Sequence, residues 1–88
     1  MKVKDDDEIR KIFKETEYES SVAIRDNEFE GLKILSKYSN NVVCSAEHDQ
    51  IWSIYLDNAV KGGITVEECV KLRKMGWFED CDSFSTFV

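Results

Sequence analysis

Two apolar periodicities alternate along this chain, and their order restricts its fold more than any other feature of the sequence. Three segments have helical spacing, in which apolar side chains recur every three or four positions: residues 5–18, 26–38 and 66–75. Four segments are rich in β-branched and aromatic residues, as strands are: residues 42–46, 50–56, 77–78 and 83–88. This order predicts an α+β fold, with a small antiparallel sheet of about three or four strands and two or three helices packed on one face.

The segment that follows Thr65 carries the clearest local signal. Thr65 and Glu68 match the capping box, in which each side chain satisfies the backbone N–H group of the other residue. Gly76 suits the left-handed conformation that commonly ends a helix. We therefore predict a helix from Val66 to Met75. Residues 57–63 contain Asp, Asn and Gly, which are typical of turns, and predict a connecting loop before this helix.

The first helical segment opens with acidic residues, Asp5 to Glu8, which favour a helix N-terminus through capping and through the helix dipole. Ile9, Ile12 and Phe13 then fall on one face. Because only these three large apolar residues anchor the segment, we expect residues 1–19 to form a peripheral helix that moves when a partner binds.

The second helical segment, residues 26–38, has large apolar residues every three positions but includes Gly31. A glycine inside a helix costs about 1 kcal/mol relative to alanine, which weakens the helical signal here. Residues 20–25, just before this segment, fit either an extension of the helix or a short strand.

Residues 42–56 predict a hairpin whose polar turn is Glu47-His48-Asp49. Successive side chains of a strand point to opposite faces of its sheet. Simple alternation along the second arm therefore predicts that Trp52, Ile54 and Leu56 share one face.

Composition limits the function classes. With 88 residues the chain predicts a single domain, residues 1–88, and its 42% hydrophobic content is too high for a disordered tail. The net charge of −6 argues against direct nucleic-acid binding, which needs clustered Lys and Arg. No apolar run approaches the roughly 20 residues that span a bilayer, and the first residues lack the apolar stretch of a signal peptide. We expect a soluble protein of the cytoplasm that does not bind membranes.

The three cysteines do not form a recognisable site. Cys44, Cys69 and Cys81 are odd in number and far apart, so neither a disulfide framework nor a CxxC metal or redox site is indicated. Together with His48 they have the ligand types that zinc prefers, but their spacing matches no usual zinc motif. We expect no metal and no cofactor.

Five residues are the candidates for a binding site: Glu47, His48, Asp49, Trp52 and Trp77. An imidazole between two carboxylates could act as a general base or as part of a metal site, but a turn residue with local hydrogen bonds is the simpler interpretation. Trp is enriched among residues that anchor protein interfaces. In so small a domain, the core is nevertheless the favoured location for both tryptophans.

Several short motifs resemble one group of known proteins: Glu47-His48-Asp49 followed by Trp52, Thr65-Val66-Glu67-Glu68, Gly76-Trp77-Phe78, Asp82-Ser83-Phe84 and Phe87-Val88. Over residues 31–88 the chain is similar to small proteins of phages and related mobile elements, a group that has no assigned activity. The resemblance implies a phage-encoded protein in the cytoplasm of a host cell.

These observations favour a non-enzymatic binding protein, which acts stoichiometrically on another protein. If the resemblance holds, the target is a host or defence factor, as for inhibitors of restriction or CRISPR systems. A second hypothesis is an enzyme or metal protein centred on His48 and Asp49. A third is an acidic mimic of nucleic acid, which requires the acids of residues 5–8, 26–30 and 79–82 to line one face. An exposed sheet edge would also permit a homodimer.

Overall fold

The protein is described by a computed structural model, which covers residues 1–17 and 27–87. Its elements in chain order are α1 (Asp6–Glu15), α2 (Asn27–Leu35), β1 (Ser45–Glu47), β2 (Gln50–Tyr55), α3 (Leu56–Gly62), α4 (Val66–Lys74), β3 (Phe78–Asp80) and β4 (Ser83–Phe87). The strands form one antiparallel sheet in the order β1-β2-β4-β3. The predicted α+β fold is therefore confirmed. The predictions for residues 18–26 and for Val88 lie outside the described residues.

The last strand, β4, occupies the interior of the sheet and pairs with both β2 and β3. Its residues Ser83 to Thr86 are all buried. Phe84 lies in the core, where it makes an edge-on contact with Phe13 of α1 at a ring-centre distance of 5.8 Å. Two large residues of α1, Ile9 and Phe13, are thus part of the core, so α1 is packed against the rest of the domain.

Trp77 is the largest fully buried side chain and packs against α2 at Gly31. The backbone of α2 approaches it so closely that a Cβ atom on Gly31 would lie 2.0 Å from the indole Nε1 atom. This contact explains the glycine that weakens the helical signal of α2, because only a residue without a side chain permits the approach.

The predicted capping box of α4 is confirmed. The Thr65 side chain accepts a hydrogen bond from the Glu68 backbone N–H, and the Glu68 side chain accepts one from the Thr65 N–H, both at 3.1 Å. The helix ends at Lys74, with Met75 as its C-cap, and Gly76 follows with a φ of 103°.

The predicted loop at residues 57–63 is wrong, because Leu56–Gly62 form the helix α3. No side chain caps its N-terminus, and the helix is held instead by burial of Leu56 and Ala59 in the core. It ends at Gly63, whose φ of 96° lies in the left-handed region.

Simple alternation along β2 is also wrong, because the strand contains a bulge. Trp52 pairs with Ser85 and Tyr55 pairs with Ser83, so one extra residue lies between the two pairs. The bulge places Trp52 and Tyr55 on the same face, while Ile54 points into the core. The first arm of the hairpin is also shorter than predicted, since β1 begins at Ser45.

Glu68 links α4 to the turn that follows α2. Besides Thr65, its carboxylate accepts hydrogen bonds from the Tyr38 hydroxyl and from Lys37 Nζ, the latter at 3.0 Å. Burial acts to raise the pKa of Glu68, but these hydrogen bonds outweigh it, and the net shift of the pKa is downward.

We predict that Gly31→Ala lowers the free energy of unfolding by about 1–3 kcal/mol, although alanine favours helices, because the added methyl group collides with Trp77. Urea denaturation monitored by circular dichroism measures the effect. The double variant with Trp77→Phe should lose less stability than the sum of the two single changes. A stabilised Gly31→Ala variant would contradict the close approach.

We predict that Glu68→Gln destabilises the protein at neutral pH by about 1–2 kcal/mol, because charged hydrogen bonds are weakened. The lowered pKa of Glu68 means that its charged form stabilises the fold above its unfolded pKa of about 4.3, and that this contribution is lost as the pH falls through the folded pKa. Urea denaturation over a pH series should therefore show the variant and the parent converging in acid. An equal difference at every pH would contradict this role.

Candidate functional site

One face of the sheet is turned away from the helices. Along β4, Phe84 points into the core, so Ser83, Ser85 and Phe87 occupy the opposite face. Strand pairing then assigns their neighbours to the same side. We call this surface the open face; it consists of Glu47, Trp52, Tyr55, Phe78, Asp80 and Phe87, with Ser83 and Ser85 at its centre.

Ser83 and Ser85, at the centre of the open face, are small, and the larger side chains of the neighbouring strands cover them. Ser85 is fully buried; its hydroxyl donates to the Ile51 carbonyl at 2.7 Å and accepts from Gln50 Nε2 at 2.9 Å. Tyr55 and Phe87 remain accessible, with 53% and 64% of their surfaces exposed. The result is a flat aromatic surface within the described part of the chain.

Asp80 fixes the polar half of this surface. Its Oδ2 atom accepts two hydrogen bonds, from Trp52 Nε1 and from Gln50 Nε2, both at 3.0 Å. These bonds connect β3 with β2 across the intervening β4, and they hold the Trp52 indole in place. The other carboxylate oxygen, Oδ1, accepts a weak hydrogen bond from the thiol of Cys81 at 3.8 Å.

His48 lies in a tight exposed turn. The turn consists of His48 and Asp49 alone, because Glu47 belongs to β1 and pairs with Gln50. The imidazole is 85% exposed, and its Nε2 atom is 3.9 Å from Glu47. Nothing in this geometry encloses a substrate. In residues 1–17 and 27–87 no three His, Cys, Asp or Glu side chains are placed to hold a metal ion.

Of the two candidate tryptophans, only Trp52 belongs to the open face. Trp77 has no exposed surface, so it cannot contact a partner in this fold, and its place among the binding candidates is corrected to a core position. Its burial follows from the turn at Gly76, which directs the next residue under α2 and not outward.

The thiols of Cys69 and Cys81 have the opposite of the electrostatics that activate a nucleophile. Burial raises the pKa of the Cys69 thiol to about 12. The charge of Asp80 raises the pKa of the exposed Cys81 thiol. Cys81 and Asp82 both have φ values in the left-handed region and form the two-residue turn between β3 and β4.

Arg10 joins α1 to this turn through four carboxylates. Its guanidinium donates to Asp6 at 3.1 Å and to Asp7 at 3.0 Å within the helix, and to Glu79 at 3.2 Å and Asp82 at 2.5 Å on the hairpin. The hydrogen bonds to Asp6 and Asp82 raise the pKa of Arg10 above its ordinary value. Acidic residues of segments 5–8 and 79–82 therefore do lie close together, but the guanidinium of Arg10 lies between them.

Sequence reasoning missed the open face, although the sequence holds a signal for it. Residues 38–60 and 75–88 contain no Lys or Arg at all, and each range contains three acidic residues. All four strands and both hairpin turns lie within these two ranges. The net charge of −6 describes the whole chain and does not reveal these two ranges without Lys or Arg.

No helix in the described ranges is both long and apolar enough to cross a bilayer. Comparisons of the chain with protein-family models, with curated proteins and with solved structures gave no match. The functional assignment therefore depends on the open face itself.

We predict that Asp80→Ala lowers the free energy of unfolding by about 1–3 kcal/mol, because the partly buried hydrogen bonds donated by Gln50 and Trp52 lose their charged acceptor. In a ¹H–¹⁵N spectrum the indole N–H signal of Trp52 should move, while that of Trp77 should not. Asp49→Asn, which removes an exposed acid from the neighbouring hairpin turn, serves as the control. Movement of both indole signals would indicate a general loss of structure instead.

Proposed function

We propose that this protein is a small binding module that acts by covering a surface of another protein with its open face. The observation that supports this most is the pair of exposed aromatic side chains, Tyr55 and Phe87, on the side of the sheet opposite Phe84. Aromatic residues anchor many protein interfaces, since they bury a large area at a small cost in conformational entropy. If the chain is phage-encoded, as the resemblance implies, the partner is a host or defence factor.

The arrangement of the open face fits an interface better than a reaction site. Hydrogen bonds within the face hold Trp52 and Gln50 in fixed positions before any partner arrives. Preorganised side chains lose less entropy on binding, which increases affinity. The enzyme hypothesis would have to use His48 in an exposed turn, where substrate and water are equally accessible.

Mimicry of nucleic acid is the second candidate, and the meeting of Asp6 and Asp7 with Glu79 and Asp82 favours it. The guanidinium of Arg10 at the centre of these four carboxylates opposes it, because the cation neutralises part of their charge. This candidate predicts that duplex DNA displaces the protein from its partner. Binding through the open face predicts that DNA has no direct effect unless the partner uses the same surface for both.

A homodimer through the sheet edge remains a prediction. The three residues of β1 are all exposed at the end of the sheet. Sedimentation equilibrium of the purified protein measures the mass directly.

We predict that the double variant Tyr55→Ser/Phe87→Ser binds its cellular partner with an affinity lower by about tenfold or more, because two interface anchors are removed. Phe29→Ser is the matched control, since Phe29 is also 50% exposed but lies on α2. The measurement is quantitative co-purification from native host cells, combined with a photo-crosslinking residue at position 87 or 29. Crosslinks from position 87 to one saturable protein support the proposal. Equal retention by both variants, or crosslinks only from position 29, would overturn it.

A further inference from the structure

The cations of the described residues are unevenly distributed between helices and strands, although Arg10 of α1 reaches across to the β3–β4 turn. The strands with their connecting turns carry Glu47, Asp49, Glu79, Asp80 and Asp82, but not one Lys or Arg. Every Lys and Arg of the described residues belongs to a helix, to the first residues of the chain or to the turn after α2. A surface of this kind attracts cationic partners and repels anionic ones over roughly one Debye length, about 8 Å at physiological ionic strength.

Not all of these acids are free to meet a partner. Arg10 already pairs with Glu79 and with Asp82. Glu47, by contrast, is 70% exposed, and its carboxylate lies 3.9 Å from the exposed imidazole of His48. Asp80 is half-buried, and its Oδ2 atom already accepts hydrogen bonds from Trp52 and Gln50. Glu47 and the exposed Asp49 of the adjoining turn are therefore the carboxylates that a bound cation would reach.

The exposed rings on the same face add a second attraction for cations. A guanidinium or ammonium group over an aromatic ring gains about 0.5–2 kcal/mol, and arginine uses this contact more often than lysine. Tyr55 and Phe87 offer ring surface to solvent. An arginine that stacks on a ring beside a carboxylate also forms charge-assisted hydrogen bonds, which are among the strongest in proteins.

We propose that the open face binds a basic, arginine-rich segment of the partner protein; this inference rests on the function proposed above and specifies its partner. A second copy of this chain is a poor occupant, because two open faces would bring like charges together. Nucleic acids and anionic membranes are repelled for the same reason.

The test uses the intact, ¹⁵N-labelled protein and a short arginine-rich peptide as the probe, with a citrulline peptide of the same length as the neutral control. We expect the arginine peptide to shift the amide signals of Glu47, Trp52, Tyr55 and Phe87, and the citrulline peptide to bind about tenfold more weakly or not at all. Affinity should fall as the ionic strength rises from about 0.01 to about 0.15 M, where the Debye length shortens from about 30 to about 8 Å. Equal binding of both peptides, or shifts confined to α1, would overturn the inference.

A charge-matched pair of variants locates the effect. Glu47→Gln/Asp49→Asn removes two acids from the sheet side, and Glu15→Gln/Glu30→Gln removes two exposed acids from the helices. We expect the first variant to weaken arginine-peptide binding about fivefold, as two solvent-exposed charges of about 0.5 kcal/mol each would. The second should leave it within about twofold. Equal losses would indicate a response to net charge alone and would contradict a specific face.

The same variants separate this inference from the proposed function. If the cellular partner crosslinks from position 87 but binds Glu47→Gln/Asp49→Asn as tightly as the parent, the open face is the interface and its preference for a basic segment is wrong. If the arginine peptide binds the open face but no cellular protein crosslinks there, the charge preference stands and the proposed function fails.

Discussion

The structure depends on placing the last strand of the chain in the middle of the sheet. β4 pairs with β2 on one side and with β3 on the other, and both of its faces are largely buried. A strand covered on one side by the core and on the other only by its neighbours needs small side chains on the second side. Ser83 and Ser85 meet this requirement, and Ser85 is fully buried with its hydroxyl paired. The open face is thus a consequence of how β4 is accommodated.

Local signals predicted the elements that local interactions stabilise. The helix after Thr65 was predicted to within one residue because its capping box is formed by neighbours in the sequence. The hairpin around His48 was recognisable because its two paired strands, β1 and β2, are also close neighbours in the sequence. α3 was missed because its residues favour turns, and the helix forms only through burial of Leu56 and Ala59 against elements distant in sequence. The bulge in β2 depends likewise on the partner strand, whose pairing with Ser83 and Ser85 no local pattern encodes.

Part of the candidate site, the residues of the first hairpin, could be predicted from the sequence. Glu47, His48, Asp49 and Trp52 were chosen for their chemistry, and the structure places all four on or beside one hairpin. Trp77 has the same chemistry but a different location, because burial is decided by the packing of α2 through Gly31. Tyr55 and Phe87 could not be selected in advance, since only the bulge and the register of β4 bring them to the same face.

The acidic residues of the strands and their connecting turns have two different roles. The difference explains how these segments, which contain no Lys or Arg, remain compatible with a stable fold. Repulsion among clustered carboxylates destabilises a compact state. Arg10 offsets this at the β3–β4 turn by binding Glu79 and Asp82, while Asp80 is compensated by the N–H groups of Trp52 and Gln50. Glu47 instead lies exposed to solvent, with its carboxylate 3.9 Å from the imidazole of His48. A surface on which most acids are neutralised internally and one or two are left for solvent keeps the domain folded and still directs its remaining charge toward a cationic partner.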